Sequence, residues 1–172
     1  MPVKAPVMKF VIWIFAVVWL FAACKKEDHP EPGCGISLLP PDSTGYFVFG
    51  TYISLCQGPS GCAVYYKLSN GFVYRDSVIH LLRPASFRKT PLGGDSGNTA
   101  SALLNCFPQE MADHPNTTIG CPDCHDQGGY YITYKANSAS PEQTWTVDTD
   151  TANLSNPMIQ YITRLDTALA HL

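Results

Sequence analysis

An uncharged apolar run of fourteen residues, 10–23, ends directly on Cys24, and this junction limits what the rest of the chain can become. Lys4 and Lys9 precede the run and the small pair Ala22-Ala23 closes it, the layout of a cleaved export signal and not of a fold element. A run of that length falls short of the roughly 20 apolar residues that a bilayer core requires, so a permanent transmembrane helix is not expected. Residues 1–23 therefore drop out of the fold. The chain from Cys24 onward is expected in an oxidising aqueous compartment.

The junction resembles the lipobox of diacylated bacterial lipoproteins, with Phe21 where that pattern usually has Leu. The resemblance implies cleavage before Cys24, acylation of that cysteine and a lipid anchor in the membrane. Several acyl chains hold stably where one is marginal, because each buried methylene adds about 0.8 kcal/mol. Lys25-Lys26-Glu27-Asp28 resembles the surface-export signal of Bacteroidota lipoproteins, which implies the outer membrane and a domain facing the cell exterior. Read without the resemblance, it is a solvated charged leash. Pro30, Pro32, Pro40 and Pro41 with Gly33 and Gly35 make residues 24–41 a lipidated, extended tether.

Residues 42–172 suffice for one hydrophobic core and not two. Without Lys4 and Lys9 the chain keeps 9 basic residues against 14 acidic ones, a net charge near −5. That balance lacks the basic footprint of nucleic-acid binding. It also argues against docking on anionic head groups, leaving the lipid as the membrane contact. Six cysteines remain besides Cys24, and an even number in an exported chain points to disulfides. Proximity in sequence pairs Cys56 with Cys62 and Cys121 with Cys124. Cys34 and Cys106 are then paired by elimination, a bond that would clip the tether to the domain and close a long loop.

Aromatic and β-branched residues over 45–55 and 62–68 predict strands, and Asn70-Gly71 predicts a hairpin returning over 72–75. Residues 78–82 could extend a strand, and 84–98, rich in glycine and proline, read as loop. Residues 99–111 look helical, broken near Pro108. Two further strands follow over 128–135 and 143–148. Asn156 is a good helix cap and Pro157 a good first residue, while Met158, Ile162, Leu165 and Leu169 form one stripe. The sum is an α+β domain: an antiparallel sheet of four to five strands packed on a C-terminal amphipathic helix and stabilised by disulfides.

Cys121-Pro122-Asp123-Cys124-His125 is the sharpest motif and supports four chemistries. By letter it is the attachment signature of haem c, with His125 as iron ligand and Met111 or Met158 as distal candidates. A glycine pair and a strand follow at once, where haem attachment usually opens a helix. A thioredoxin-like redox pair would need a helix N-terminus to favour the thiolate, whereas Asp123 and Asp126 disfavour it. A zinc site could combine Cys121, Cys124 and His125 with His114 or Cys106, but no second paired motif is present. The reading that fits the surroundings is a structural disulfide in a turn positioning the strand at Tyr130. Gly94-Asp95-Ser96-Gly97 resembles the nucleophile segment of chymotrypsin-like proteases. Asn98 replaces that family's glycine, and His80, the only upstream histidine within the domain, lies in an apolar run.

Residues 46–74, the run Ile119-Gly120-Cys121-Pro122-Asp123-Cys124, then Asp126-Gln127-Gly128-Gly129-Tyr130, and residues 145–148 before a terminal helix resemble a group of uncharacterised Bacteroidota outer-membrane and surface lipoproteins. The resemblance covers most of 45–172 and implies a lineage and an address, but no activity. The expected function is a non-enzymatic binding or envelope-interaction module. Its contacts would be the membrane through the lipid, and a protein or glycan partner; no nucleic acid, metal or other cofactor is expected. The alternative is a haem c or thiol redox protein using Cys121, Cys124 and His125. Asp42-Ser43-Thr44 and three similar triplets resemble the O-glycosylation signal of exported Bacteroidota proteins, with Ser43, in the exposed linker, the favoured site.

Overall fold

Alternating large apolar side chains build the centre of the domain. In the computed structural model, which describes residues 35–53, 62–77, 84 and 86–172, Phe47 and Phe49 of strand β1 (Tyr46–Tyr52) enter one apolar cluster, and Val48 and Tyr52 enter another. A strand apolar on both faces belongs inside a sheet. β1 indeed pairs antiparallel on both sides, with β2 (Ala63–Ser69) and with β5 (Gly129–Lys135). The turn Asn70-Gly71 joins β2 to β3 (Phe72–Arg75), with both residues at positive φ, 50° and 77°, as a tight hairpin requires.

β6 (Gln143–Asp148) adds antiparallel to β5, and β4 (Thr117–Ile119) adds parallel to β6, giving the order β3-β2-β1-β5-β6-β4. The sheet among the described residues is thus six-stranded and mixed, not the antiparallel sheet of four to five strands predicted above. β4 escaped prediction because its three residues are too few to display a strand period.

Helices α1 (Ser96–Ala102), α2 (Gln109–Asp113) and α3 (Asn156–Ala170) contribute to the cluster on the Phe47 face. Residues 96–98, predicted as loop, form the first turn of α1, and Pro108 caps α2, so the predicted break is a complete separation. The cap of α3 is Ser155, whose Oγ accepts the Met158 N–H at 3.4 Å; Asn156, predicted as the cap, is the first helical residue. Met158, Ile162 and Leu165 of the predicted stripe are buried, Tyr161 and Ala168 widen it, and Leu169 is only partly buried. Phe107 meets Trp145 and Tyr161 edge to face at 5.1 and 5.4 Å between centroids. The indole Nε1 of Trp145 donates to the carbonyls of Met111 and His114 at 2.8 and 3.0 Å, which ties α2 to β6.

The chain ahead of β1 is fastened to this core. Ile36 exchanges two backbone hydrogen bonds with Phe107, of 2.7 and 2.9 Å, and Tyr134 donates its hydroxyl to the Leu39 carbonyl at 2.9 Å. At Gly35 a Cβ would stand 1.9 Å from the Phe107 carbonyl oxygen, so glycine permits the approach. Cys24, Cys34, Cys56, His80 and the strand expected over 78–82 lie outside the described residues. Among the described residues no helix is long and apolar enough to cross a membrane.

Candidate functional site

β4 and β5 flank β6 on opposite sides, so the chain between them, residues 120–128, must cross the end of β6. The Cys121 motif is that crossing. Asp148, the last residue of β6 and only 2% exposed, receives the loop: Oδ2 accepts the Cys121 N–H at 2.8 Å and Oδ1 the Gln127 side-chain amide at 3.1 Å. Gln127 also donates to the Cys121 carbonyl at 3.0 Å and accepts the His125 N–H at 2.6 Å. Asp123 closes the inner turn on Gly128 through its own N–H and its carboxylate, at 2.9 and 3.0 Å. Gly128 has φ +79°, and a Cβ there would lie 2.2 Å from the Tyr52 carbonyl oxygen. Two requirements, left-handed backbone and close contact, thus converge on one glycine.

Cys121 and Cys124 are joined by a disulfide within this loop, their Cα atoms 5.5 Å apart. Sulfurs bonded to each other form neither haem thioethers nor metal thiolates. The remaining donors do not fit those groups either. His125 is exposed, Met111 and Met158 are buried in the core at 0% and 1% exposure, and a turn and strand β5, not a helix, follow Cys124 directly. Cys106 is disulfide-bonded, and among the described residues no group of three or more His, Cys, Asp or Glu could hold a metal ion. Cys62 is disulfide-bonded too; Cys56 and Cys34, the partners that the sequence assigns to Cys62 and Cys106, lie outside the described residues.

The sheet face opposite the Phe47 cluster is laid out in rows by strand register. One row reads Thr118, Thr146, Tyr131, Gly50, Tyr65, and the next Thr144, Thr133, Val48, Lys67, Tyr74. At the β1–β2 end the face is covered. Phe87, held by an antiparallel bridge to Asp76, packs against the cluster that Val48, Tyr52, Ala63 and Tyr65 form, and Lys67 Nζ lies 5.2 Å from the centroid of its ring. At the β6–β4 end it forms a cleft of about 530 Å³ lined by Asn116, Thr118, Tyr131, Glu142, Thr144 and Thr146, with Thr117 at its edge.

The cleft side chains are oriented by neighbours. Thr118 and Thr146 hydroxyls are hydrogen-bonded at 2.9 Å, and Asn116 Oδ1 accepts the Thr144 N–H at 3.0 Å. The Tyr46 hydroxyl donates to Glu142 Oε2; burial and that carboxylate push the phenol up to about 12. The Tyr131 ring stands edge to face on Tyr65 at 5.5 Å, above Gly50, where a Cβ would strike Tyr65 Cδ1 at 2.8 Å. Tyr130, Tyr134 and Trp145 point into the core instead. Strand alternation alone could have assigned Tyr131, Thr144 and Thr146 to this face. Asn116, Thr118 and Glu142 required the position of β4 and of the loop before β6.

Two other residues singled out from the sequence are placed. Ser43 is exposed in a turn whose Asp42 carboxylate accepts the N–H groups of Thr44 and Gly45 at 2.7 and 2.9 Å. Ser96 opens α1 and donates to the Leu92 carbonyl at 3.4 Å. No protein-family model, curated protein or solved structure matches this chain.

Proposed function

We propose that this protein is a lipid-anchored lipoprotein of the outer membrane, resembling those of Bacteroidota, whose domain acts as a non-enzymatic binding module. The lipid on Cys24 is the membrane contact. One observation carries the reading: the sheet is used on one side for the main core, while the β6–β4 end of its other side keeps an oriented polar cleft. A preformed site with few, well-placed polar groups is the usual form of a ligand site. Among the described residues, hydroxyls, one amide, one phenol and one carboxylate line it, a set suited to holding a ligand. Ser43, exposed beside the start of β1, would be open to O-glycosylation.

The test uses the full-length protein, kept in detergent micelles that occupy its acyl chains, and mixed with outer-membrane fragments that have been stripped of lipid, from cells that lack the protein. Wild type should be retained on the fragments, and Thr146→Arg, which fills the cleft with a long charged side chain, should be retained several-fold less at unchanged circular dichroism. Absence of retention, or equal retention of the two proteins, would overturn the binding-module reading.

A further inference from the structure

Resting on that reading, we infer that the cleft over β4, β5 and β6 is a binding site for a neutral oligosaccharide. A polyhydroxyl ligand offers alternating donors and acceptors on its rim and weakly polar C–H faces. It is held where protein hydroxyls, amides and carboxylates meet an aromatic face. The cleft supplies that combination at fixed positions. The hydroxyl pair Thr118 and Thr146, 2.9 Å apart, has the spacing that vicinal diol oxygens themselves have, and after one donates to the other the pair still offers a proton and lone pairs. Glu142 is held by Tyr46 through Oε2, which leaves Oε1 as an acceptor, and Asn116, bound through Oδ1, has its amide N–H groups to give.

Tyr131, partly exposed in the same row as Thr118 and Thr146, provides the aromatic surface. Its contact with Tyr65 fixes the ring before a ligand arrives, so little side-chain freedom is lost on binding. Among the described residues, the carboxylate of Glu142 is the only charged group lining the cleft, on a chain of net negative charge, which disfavours polyanionic ligands. A peptide adding as a strand would seek the backbone of a sheet edge. Here side-chain hydroxyls on a sheet face make the floor.

Calorimetric titration of the full-length protein, in a detergent without a sugar head group, tests this with neutral hexasaccharides of α1,4- and β1,4-linked glucose, of mannose and of N-acetylglucosamine. Saturable binding to at least one probe is expected. Tyr131→Ala should weaken it roughly tenfold or more through loss of the stacked ring. Thr146→Val, nearly isosteric and therefore safe for the fold, should also weaken it several-fold. The exposed Leu39→Ala should leave it unchanged. Binding indifferent to Thr146→Val, or no saturable binding to any probe, would overturn the inference. Retention on outer-membrane fragments that persists without such binding, or that heparin competes and the neutral probes do not, would overturn the saccharide class alone. Loss of retention altogether would remove the binding module with it.

Discussion

Asp148 is the residue on which the crossing loop depends. Burial pushes its carboxyl up, but hydrogen bonds from the Asp150 and Cys121 amides, from Gln127 and from the Thr149 amide outweigh that effect, so the group ionises below the ordinary carboxylate value. A carboxylate depressed in the folded state stabilises fully above its unfolded value, about 3.9, and ceases to as pH falls through its folded one. Acidification from about pH 5 to about pH 2 should therefore weaken the wild type more than Asp148→Asn. At neutral pH the variant should cost roughly 1.5–3 kcal/mol, because an amide cannot accept on both sides. Urea midpoints across that range check it, and parallel pH curves for the two proteins would remove Asp148 as the cause. Tyr161 presents the reverse case. Its hydroxyl is the one buried side-chain polar atom without a hydrogen-bond partner among the described residues, and burial raises its pKa. Tyr161→Phe should thus gain about 1 kcal/mol in thermal unfolding; a loss would reveal an overlooked partner. Neither role was legible beforehand. An acid ending a strand reads as turn chemistry, and Tyr161 lies off the expected stripe.

The elements that could be read from the chain are those whose signal is local. Asn70-Gly71 dictates the β2–β3 hairpin through backbone geometry alone, and alternation identifies β1, β5 and β6. β4 is different, because its existence rests on a partner about thirty residues away: Thr117 faces Trp145 and Ile119 faces Val147. With β4 unseen, the crossing could not be foreseen, and the cysteine motif looked like a free turn with several chemistries open. Its disulfide closes a very short ring, for which chain entropy gives roughly 2 kcal/mol, at the low end for native bonds. The Asp148 and Gln127 hydrogen bonds hold the same loop independently. Cys121→Ser with Cys124→Ser should accordingly lower stability by about 2 kcal/mol and leave a folded protein. Denaturant unfolding with a near-ultraviolet spectrum of Trp145 checks both. Unfolding of the double variant at neutral pH would mean that the disulfide, and not Asp148, holds the crossing.

At the scale of the whole molecule, the fold takes up the chain from Ile36, whose backbone is paired to Phe107. Between the proposed lipid on Cys24 and that point the chain can extend at most about 40 Å, so the domain would work within one protein diameter of the membrane surface. Anchoring there would depend on the proposed acyl chains, since a net negative charge disfavours docking on anionic head groups. Each buried methylene contributes about 0.8 kcal/mol, and two or more chains make release negligible. Cys24→Ala removes the acceptor for all of them. Cells grown with labelled palmitate should incorporate label into the wild type, whose intact mass should lack residues 1–23 and include the lipid. The variant should carry no label and show altered mobility, because processing at the junction requires the modified cysteine. A Cys24→Ala protein that stays in the membrane fraction with unchanged mobility would eliminate the lipid anchor. The domain would then need another route to the envelope for its cleft to meet a ligand there.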